Sequence, residues 1–270
     1  MALVVSACGF TEPRKFIVIK ERREIEGSFL ISSLIGQRLR QQNVGIVLVS
    51  CHQTFKYYDT VGKKLGYNLT MSISKKCLQV IEPLKDIMTY PSDVLMDHLY
   101  NEICGKLKLL EDDGKKNITI MIDDLAFFTS FGSSEKNLIQ LGLKLHKLSQ
   151  QNDGLSVVIK IGLSDLHEHL SSNLEDFADV DLTLEKLKSG EFWDVDGKLT
   201  IKKMNHQSGI VVRESERCLL YLVADHNVKL TAPGEFGLKV WKLGHQMRDS
   251  CSFIAPRVAN IWFYIQSFVS

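Results

Sequence analysis

The sequence predicts an α/β fold with a doubly wound, mostly parallel sheet and an antiparallel extension at its C-terminal end. In the first half of the chain, short apolar runs alternate with longer segments of helical period, and those apolar runs contain few polar positions. Unbroken apolar strands are typical of parallel sheets that helices cover on both faces. After residue 180 the runs alternate apolar and polar residues instead, which is typical of antiparallel strands with one solvated face.

Strands and helices are expected in alternating order through the first half. The strands are expected at residues 16–19, 44–49, 78–81, 118–122 and 155–161. The helices are expected at residues 27–42, 56–65, 92–111 and 136–151, the first of them amphipathic. This order implies parallel strands joined by right-handed crossovers.

The alternating strands of the second half are expected at residues 181–185, 191–195, 198–202 and 219–223. Asp196 and Gly197 both tolerate a positive φ, so they are predicted to form a two-residue hairpin turn between two of these strands. All four strands are expected to extend the edge of the same sheet in antiparallel fashion.

Length and composition indicate a globular chain with a substantial core, since 44% of its 270 residues are hydrophobic and 24% are charged. Residues 1–235 are predicted to form one domain, followed by an aromatic-rich tail over residues 236–270. The formal net charge is +1, so a protein that coats nucleic acid through bulk charge is not expected. No apolar run reaches about 18 residues, so no membrane span is expected.

The six cysteines are scattered along the chain rather than paired at short spacing. That distribution is typical of reduced thiols in an intracellular protein, so the expected location is the cytoplasm, with the nucleus as an alternative. His167 and His169 are two residues apart and would diverge on a helix, so no metal site is predicted.

A nucleotide-hydrolysing domain of this class needs an aspartate at the end of a later apolar strand, where it helps to hold a magnesium ion. The strand expected at residues 118–122 runs straight into Asp123 and Asp124. The two aspartates are therefore candidates for a relic of such a site. The alternative is that each carboxylate caps the turn that follows the strand.

The same class also needs a GxxxxGK[ST] loop after its first strand, where backbone amides and a lysine bind phosphate. Gly27 and Ser28 stand where this motif would end, but its lysine and its first glycine are missing. Three carboxylates would lie beside a bound triphosphate and repel it: Glu21, Glu24 and Glu26. The loop is therefore predicted to be degenerate, with no catalytic residue and no cofactor.

A basic segment interleaved with tyrosines is the candidate for contact with RNA. Its candidate residues are Lys56, Lys63 and Lys64. Lysines beside aromatic residues can bind phosphates and stack on bases. The alternative is an ordinary solvated helix face.

A cluster of phenylalanines after the two aspartates is too apolar for an ordinary loop. Phe127, Phe128 and Phe131 are the candidates for a subunit interface. Burial in the core of the chain itself is the alternative.

Several segments together carry a resemblance to a known family. They are EGSFL at 26–30, IVLV at 46–49, Tyr58 with VGKKLG at 61–66, Leu69 and Thr70, IDDL at 122–125, SFG at 130–132 and DVDGKL at 194–199. Over about residues 25–235 the chain resembles the family of the sixth Elongator subunit, a RecA-like family without the phosphate-loop motif.

The resemblance implies a non-catalytic subunit of a heterohexameric RecA-like ring. Its implied partners are two paralogous RecA-like Elongator subunits, the remaining Elongator core and transfer RNA. The ring is implied to support modification of wobble uridines by a different, catalytic chain. Under this hypothesis Asp123 and Asp124 are a structural relic.

Two other functions stay open on the sequence. One is a nucleotide-dependent enzyme in which Arg22 or Arg23 replaces the missing lysine. The other is a RecA-like recombination paralogue that acts on DNA.

Overall fold

The computed structural model describes residues 2–8, 15–22, 25–87, 89–187, 194–207, 210–224 and 227–234. The chain divides into two units, residues 1–232 and 233–270. Every described helix and strand belongs to the first unit, and residues 233 and 234 are all that is described of the second. The sequence-based boundary between residues 235 and 236 stays a prediction.

The described residues form eight α-helices, nine β-strands and two short 3₁₀ helices. The α-helices are α1 (Ala2–Ala7), α2 (Ser28–Arg38), α3 (Phe55–Lys64), α4 (Leu69–Ser74), α5 (Leu84–Ile87), α6 (Ser92–Asp112), α7 (Glu135–Gln151) and α8 (Glu168–Glu175). The strands are β1 (Phe16–Glu21), β2 (Val44–Val49), β3 (Leu78–Ile81), β4 (Asn117–Ile122), β5 (Leu155–Gly162), β6 (Val180–Glu185), β7 (Gly197–Gln207), β8 (Ile210–Ala224) and β9 (Asn227–Thr231). The 3₁₀ helices are Ala126–Phe131 and Asp165–His167.

All nine strands lie in one sheet in the order β3-β2-β4-β5-β1-β6-β7-β8-β9. The first six in this order are parallel, and β7, β8 and β9 pair in antiparallel fashion. The predicted fold class is therefore confirmed. Because β1 lies inside the sheet between β5 and β6, the loop that leaves it opens at the middle of the carboxyl edge.

Apolar side chains on the two faces of the sheet form two cores. On one face α6, α7 and α8 pack against strand residues such as Val18, Ile120 and Ile159. On the other face α1 to α4 pack against residues such as Ile19 and Leu182. None of the described helices is both long and apolar enough to span a membrane.

The first predicted helix differs from the expected amphipathic helix. Nearly every residue of α2 is buried, because α1 and α3 cover the sides that β2 does not. Its Phe29 ring also lies against Tyr221 of β8, with ring centroids 5.1 Å apart. A helix buried on all sides needs no polar face, so the periodicity was a poor guide here.

Two predictions for the second half are wrong. β6 runs parallel to β1, with Val18 opposite Asp181, because the crossover through α8 returns the chain to the same end of the sheet. Asp196 and Gly197 do not form a hairpin turn: neither has a positive φ, and Gly197 pairs with Tyr221 as the first residue of β7. The Asp196 side chain instead accepts a hydrogen bond from the Val223 N–H at 2.6 Å.

A buried ionic group joins the parallel part of the sheet to the antiparallel extension. We call it the Lys20 cluster, and its members are Lys20, Glu175, Asp181 and Lys202. The Lys20 ammonium lies 2.7 Å from the Glu175 carboxylate and 2.9 Å from that of Asp181. Lys202 of β7 reaches the same two carboxylates at 2.9 Å and 3.6 Å.

Candidate functional site: a closed phosphate-loop region

The phosphate-loop region runs from the last residue of β1, Glu21, to the first residue of α2, Ser28. Glu21 is nearly buried, and its Oε2 accepts a hydrogen bond from the Gly27 N–H at 2.7 Å. The chain thus folds back onto its own carboxylate. Donors at the start of a helix are the groups that bind phosphate in active loops, and Glu21 uses one of them here.

Lys160 of β5 supplies the positive charge of this region. Its side chain is fully buried, and its Nζ lies 2.8 Å from Glu21 Oε1 and 3.6 Å from Glu26 Oε1. Burial opposes its charge, but the carboxylates of Glu21 and Glu26 outweigh burial and raise the pKa of Lys160. Lys160 is therefore protonated and paired. We call Glu21, Glu26 and Lys160 the Lys160 cluster.

Glu26 accepts hydrogen bonds from both sides of the region. Its Oε1 accepts from the Ser28 N–H at 2.8 Å and from the Ser28 hydroxyl. Its Oε2 lies 3.2 Å from Gln53 Nε2 and 3.4 Å from His52 Nε2, on the loop that follows β2. Burial opposes ionisation of Glu26, but the hydrogen bond from His52 and the charge of Lys160 outweigh it and lower its pKa. The hydrogen bond to Glu26 raises the pKa of His52 in turn.

Asp123 holds the loop after β2 rather than facing solvent. Its carboxylate is buried and accepts the backbone N–H groups of Cys51, His52 and Gln53 at 2.6 to 3.0 Å. The Tyr58 hydroxyl lies 3.2 Å from its second oxygen. Burial raises the pKa of Asp123, although these N–H groups oppose that rise.

Asp124 caps the turn that follows β4. Its Oδ1 accepts the N–H of Ala126 at 3.0 Å and that of Gly162 at 3.2 Å. Both aspartates of the predicted relic therefore serve the backbone of this chain.

The described residues of this region do not fit a nucleoside triphosphate with its magnesium ion. The Lys160 ammonium already faces two carboxylates, and Asp123 already accepts four hydrogen bonds. No group of three or more His, Cys, Asp or Glu side chains within the described ranges could hold a metal ion. A bound triphosphate would add negative charge where the chain has placed its own.

Arg22, one of the two candidate substitutes for the missing lysine, does not face the Lys160 cluster. Arg22 is exposed, and its side chain points toward β6, where Nε lies 3.7 Å from Glu185 Oε1. Arg23 and Glu24 lie outside the described residues.

The lysines predicted to contact RNA lie on α3. Lys56, Lys63 and Lys64 are all exposed, and the Lys63 ammonium lies 2.6 Å from Asp59 one helical turn earlier. All three lie on α3, and none of them belongs to the Lys160 cluster.

The phenylalanine cluster divides between core and surface. Phe128 is fully buried in the core, so it cannot contribute to an exposed interface, and the prediction for this residue is corrected. Phe127 is partly buried against the same core, while Phe131 keeps 39% of its surface exposed. The Phe127 and Phe131 rings lie 4.9 Å apart.

Sequence reasoning missed Lys160, although a signal for it was present. It is a lone charged residue in an otherwise apolar strand, LSVVIKIG. A charge in a strand buried on both faces requires a partner, and that requirement points to a carboxylate on a neighbouring strand. No comparable signal existed for His52 and Gln53, whose side chains meet Glu26 only through the fold.

Comparison with known proteins identifies the family of this chain. The family model described as Elongation complex protein 6 matches residues 2–225. The chain belongs to this family.

Relatives in the Elongation complex protein 6 family match most of the chain. The Elongator complex protein 6 of Drosophila melanogaster is 32% identical over 249 residues, which cover 88% of this chain and 98% of the relative. The Homo sapiens protein of the same name is 25% identical over 235 residues, covering 77% and 87%.

Solved structures support the fold of this family member. A KaiC-like protein of Pyrococcus horikoshii has a TM-score of 0.57 at 10% identity, with 81% of this chain and 89% of that chain covered. An uncharacterized protein of the same organism, in complex with an unknown peptide, has a TM-score of 0.61 at 11% identity, covering 87% and 98%. These likenesses concern the fold alone, and they confirm the predicted RecA-like architecture.

Proposed function

We propose that the chain is a non-catalytic subunit of the Elongator complex. In this proposal it joins two paralogous RecA-like subunits in a heterohexameric ring, which associates with the remaining Elongator core, binds transfer RNA and supports wobble-uridine modification. Its site of action is the cytoplasm, with the nucleus as a second location. The observation that carries the proposal is the closed phosphate-loop region in a chain of this family.

In this proposal the chain is not catalytic, because the charged groups that hydrolysis needs are already engaged with other groups of the chain. Hydrolysis needs a lysine and a magnesium ion to neutralise the phosphates in the transition state. Lys160 is committed to Glu21 and Glu26, and Asp123 is committed to the loop after β2. A chain in which these groups are engaged in this way can still use its RecA-like sheet for assembly.

Exposed apolar side chains at the carboxyl edge of the sheet support a subunit contact there. We call this set the carboxyl rim, and its members are Leu84, Tyr90, Val94, Phe131 and Leu166. They lie on the segments that follow β3, β4 and β5. Leu166 is the most exposed of them, at 82%, and a set of exposed apolar residues at one edge supports a contact with another protein.

The surface proposed for transfer RNA is the exposed face of α3 with Lys56, Lys63 and Lys64. A single chain with a net charge of +1 is a weak binder of a polyanion. Such a ring would hold two copies of this face, and simultaneous contacts of both copies with one RNA would raise the apparent affinity.

The experiment is purification of the tagged full-length chain from its own cells, with mass spectrometry and mass determination of what accompanies it. Two other RecA-like chains in equal amounts are expected, at a mass near that of a hexamer, with transfer RNA in the same preparation. Replacing Phe131 by Asp in the carboxyl rim is expected to lower their recovery about tenfold, because a buried charge is costly in an apolar interface.

Leu109→Asp is the matched control for Phe131→Asp. Leu109 is also an exposed apolar residue, but it lies near the end of α6, away from the carboxyl edge. It should leave recovery unchanged. A lone monomer that binds and hydrolyses ATP would refute the proposal, and a preparation carrying duplex DNA instead of transfer RNA would favour a recombination paralogue.

A further inference from the structure

The Glu26 carboxylate is surrounded by the kinds of donor that phosphate-binding loops use. Such loops hold an anion with backbone N–H groups at a helix start, a hydroxyl and a lysine ammonium. Glu26 Oε1 has all three: the Ser28 N–H at 2.8 Å, the Ser28 hydroxyl, and the Lys160 Nζ at 3.6 Å. Lys160 is fully buried and lies more than 130 residues from Glu26 along the chain, on strand β5, so this is more than a local turn.

The second oxygen of Glu26 extends this arrangement to the neighbouring loop. Oε2 meets the side chains of Gln53 and His52, whose backbone N–H groups are held by Asp123. One carboxylate therefore links the start of α2, strand β5 and the loop after β2. A phosphate bound at the start of α2 would meet the same three segments.

We propose that the Glu26 carboxylate is a resident substitute for a phosphate group, held in a retained anion site at the start of α2. The chain supplies from its own sequence the anion that a nucleotide would otherwise bring. This inference rests on the closed phosphate-loop region of the proposed function and assigns Glu26 the role that keeps it closed.

Charge explains why a carboxylate fits where a triphosphate does not. Glu21 lies 2.8 Å from the same ammonium, so the site tolerates one further negative charge but not several. Shortening Glu26 should therefore open a space that accepts a small anion, while the native chain, whose site is filled, should not respond.

The test uses the full-length chain with Glu26→Ala and follows amide hydrogen exchange over residues 25–38 by mass spectrometry. Loss of the carboxylate should speed exchange at the start of α2 about tenfold, as expected when a charged hydrogen-bond acceptor is removed. Inorganic phosphate should restore most of this protection in E26A, whereas chloride at the same ionic strength should not, because screening alone lacks the geometry.

Two further variants keep the proposal falsifiable. Glu26→Gln fills the same space without charge, so phosphate should not change its exchange. Glu175→Ala removes a carboxylate from the Lys20 cluster, which has no helix start, so phosphate should have no effect there either. If E26A proves too unstable for exchange, phosphate is expected to raise its melting temperature more than chloride does.

The inference is overturned if phosphate does not slow amide exchange in E26A. It is also overturned if phosphate slows exchange in E26Q and E175A to the same extent as in E26A. These readouts concern one segment of the chain and need neither a ring nor RNA. Failure of the assembly proposal and failure of this one are therefore distinguishable.

Discussion

Two buried lysines lie in adjacent strands of the sheet, and they are neutralised in different ways. Lys160 of β5 is opposite Ile19 of β1, and the next residue of β1 is Lys20, which points to the other face of the sheet. The Lys20 cluster has two ammonium groups for two carboxylates. The Lys160 cluster has one ammonium group for two carboxylates.

The two clusters therefore differ in their place in the fold as well as in their charge balance. The Lys20 cluster fixes α8 and β7 to the centre of the sheet, and its two ammonium groups balance its two carboxylates. The Lys160 cluster carries an excess of negative charge at a helix start, a place that ordinarily favours anions. Glu26 accepts hydrogen bonds there from Ser28 at the helix start, and its second oxygen lies 3.4 Å from His52 Nε2.

Removing each lysine gives the largest expected effects. Lys160→Met leaves Glu21 and Glu26 without their ammonium group, and we expect a loss of about 3–5 kcal/mol in the free energy of unfolding. Lys20→Met leaves Glu175 and Asp181 paired with Lys202, so the loss should be only about 1–3 kcal/mol. Urea unfolding at neutral pH measures both, and an equal or larger loss in K20M would contradict the comparison.

The sequence predicted one part of the Lys160 cluster and missed the other. The degenerate loop was predicted from Glu21, Gly27 and Ser28, because loss of the motif lysine is visible in the chain itself. Lys160, the partner of Glu21 and Glu26, was not predicted. The strand order places β5 beside β1, and that order cannot be read from a local motif. The local motif shows that its lysine is missing, whereas the pairing of β1 with β5 determines that Lys160 lies beside Glu21.

For the sheet, too, the sequence predicted what depends on local composition and missed what depends on tertiary pairing. Apolar runs predicted the parallel strands because burial on both faces leaves a compositional signal. The direction of β6 was predicted wrongly, because its alternation of apolar residues with Asp181 and Thr183 is the pattern of an antiparallel strand. Its polar residues face the Lys20 cluster, so the alternation reflects ion pairing rather than a solvated face.

A methyl group added at Gly27 probes how tightly the Lys160 cluster is packed. A Cβ at Gly27 would lie 2.7 Å from Leu184 Cδ1 and 2.9 Å from Glu21 Oε2, so Gly27→Ala should cost roughly 1–3 kcal/mol in the free energy of unfolding. Gly162→Ala is the matched control, because its Cβ would lie 3.5 Å from Asp124 Oδ2, in ordinary contact. It should change stability by less than about 0.5 kcal/mol.

Double variants tie this penalty to one cluster. The cost of G27A should shrink in the K160M background, where Glu21 is no longer held by an ammonium group, and should stay unchanged in the K20M background. Urea unfolding of the three single and two double variants measures the coupling. Full additivity with K160M would mean that Leu184 alone resists the added methyl group.

The smallest expected effect is a pH dependence of stability that arises from His52 and Glu26, next to Lys160. Because the pKa of His52 is raised above 6.5, its contribution to stability is fully present below pH 6.5 and is lost as pH rises through the raised pKa. Glu26 acts in the opposite sense: its pKa is lowered from 4.5, so its contribution is present above pH 4.5 and is lost at lower pH. The pair therefore contributes most between about pH 5 and 6.5.

His52→Gln tests this pair directly. Both side chains are 45% exposed, so screening by solvent should limit the loss to about 0.5–1 kcal/mol near pH 6, falling to almost nothing near pH 9. Urea midpoints at the two pH values measure it. K20M serves as the control, because the Lys20 cluster contains no histidine and its deficit should be the same at both pH values. An H52Q deficit that persists at pH 9 would mean that neutral His52 holds Glu26 through its hydrogen bond alone.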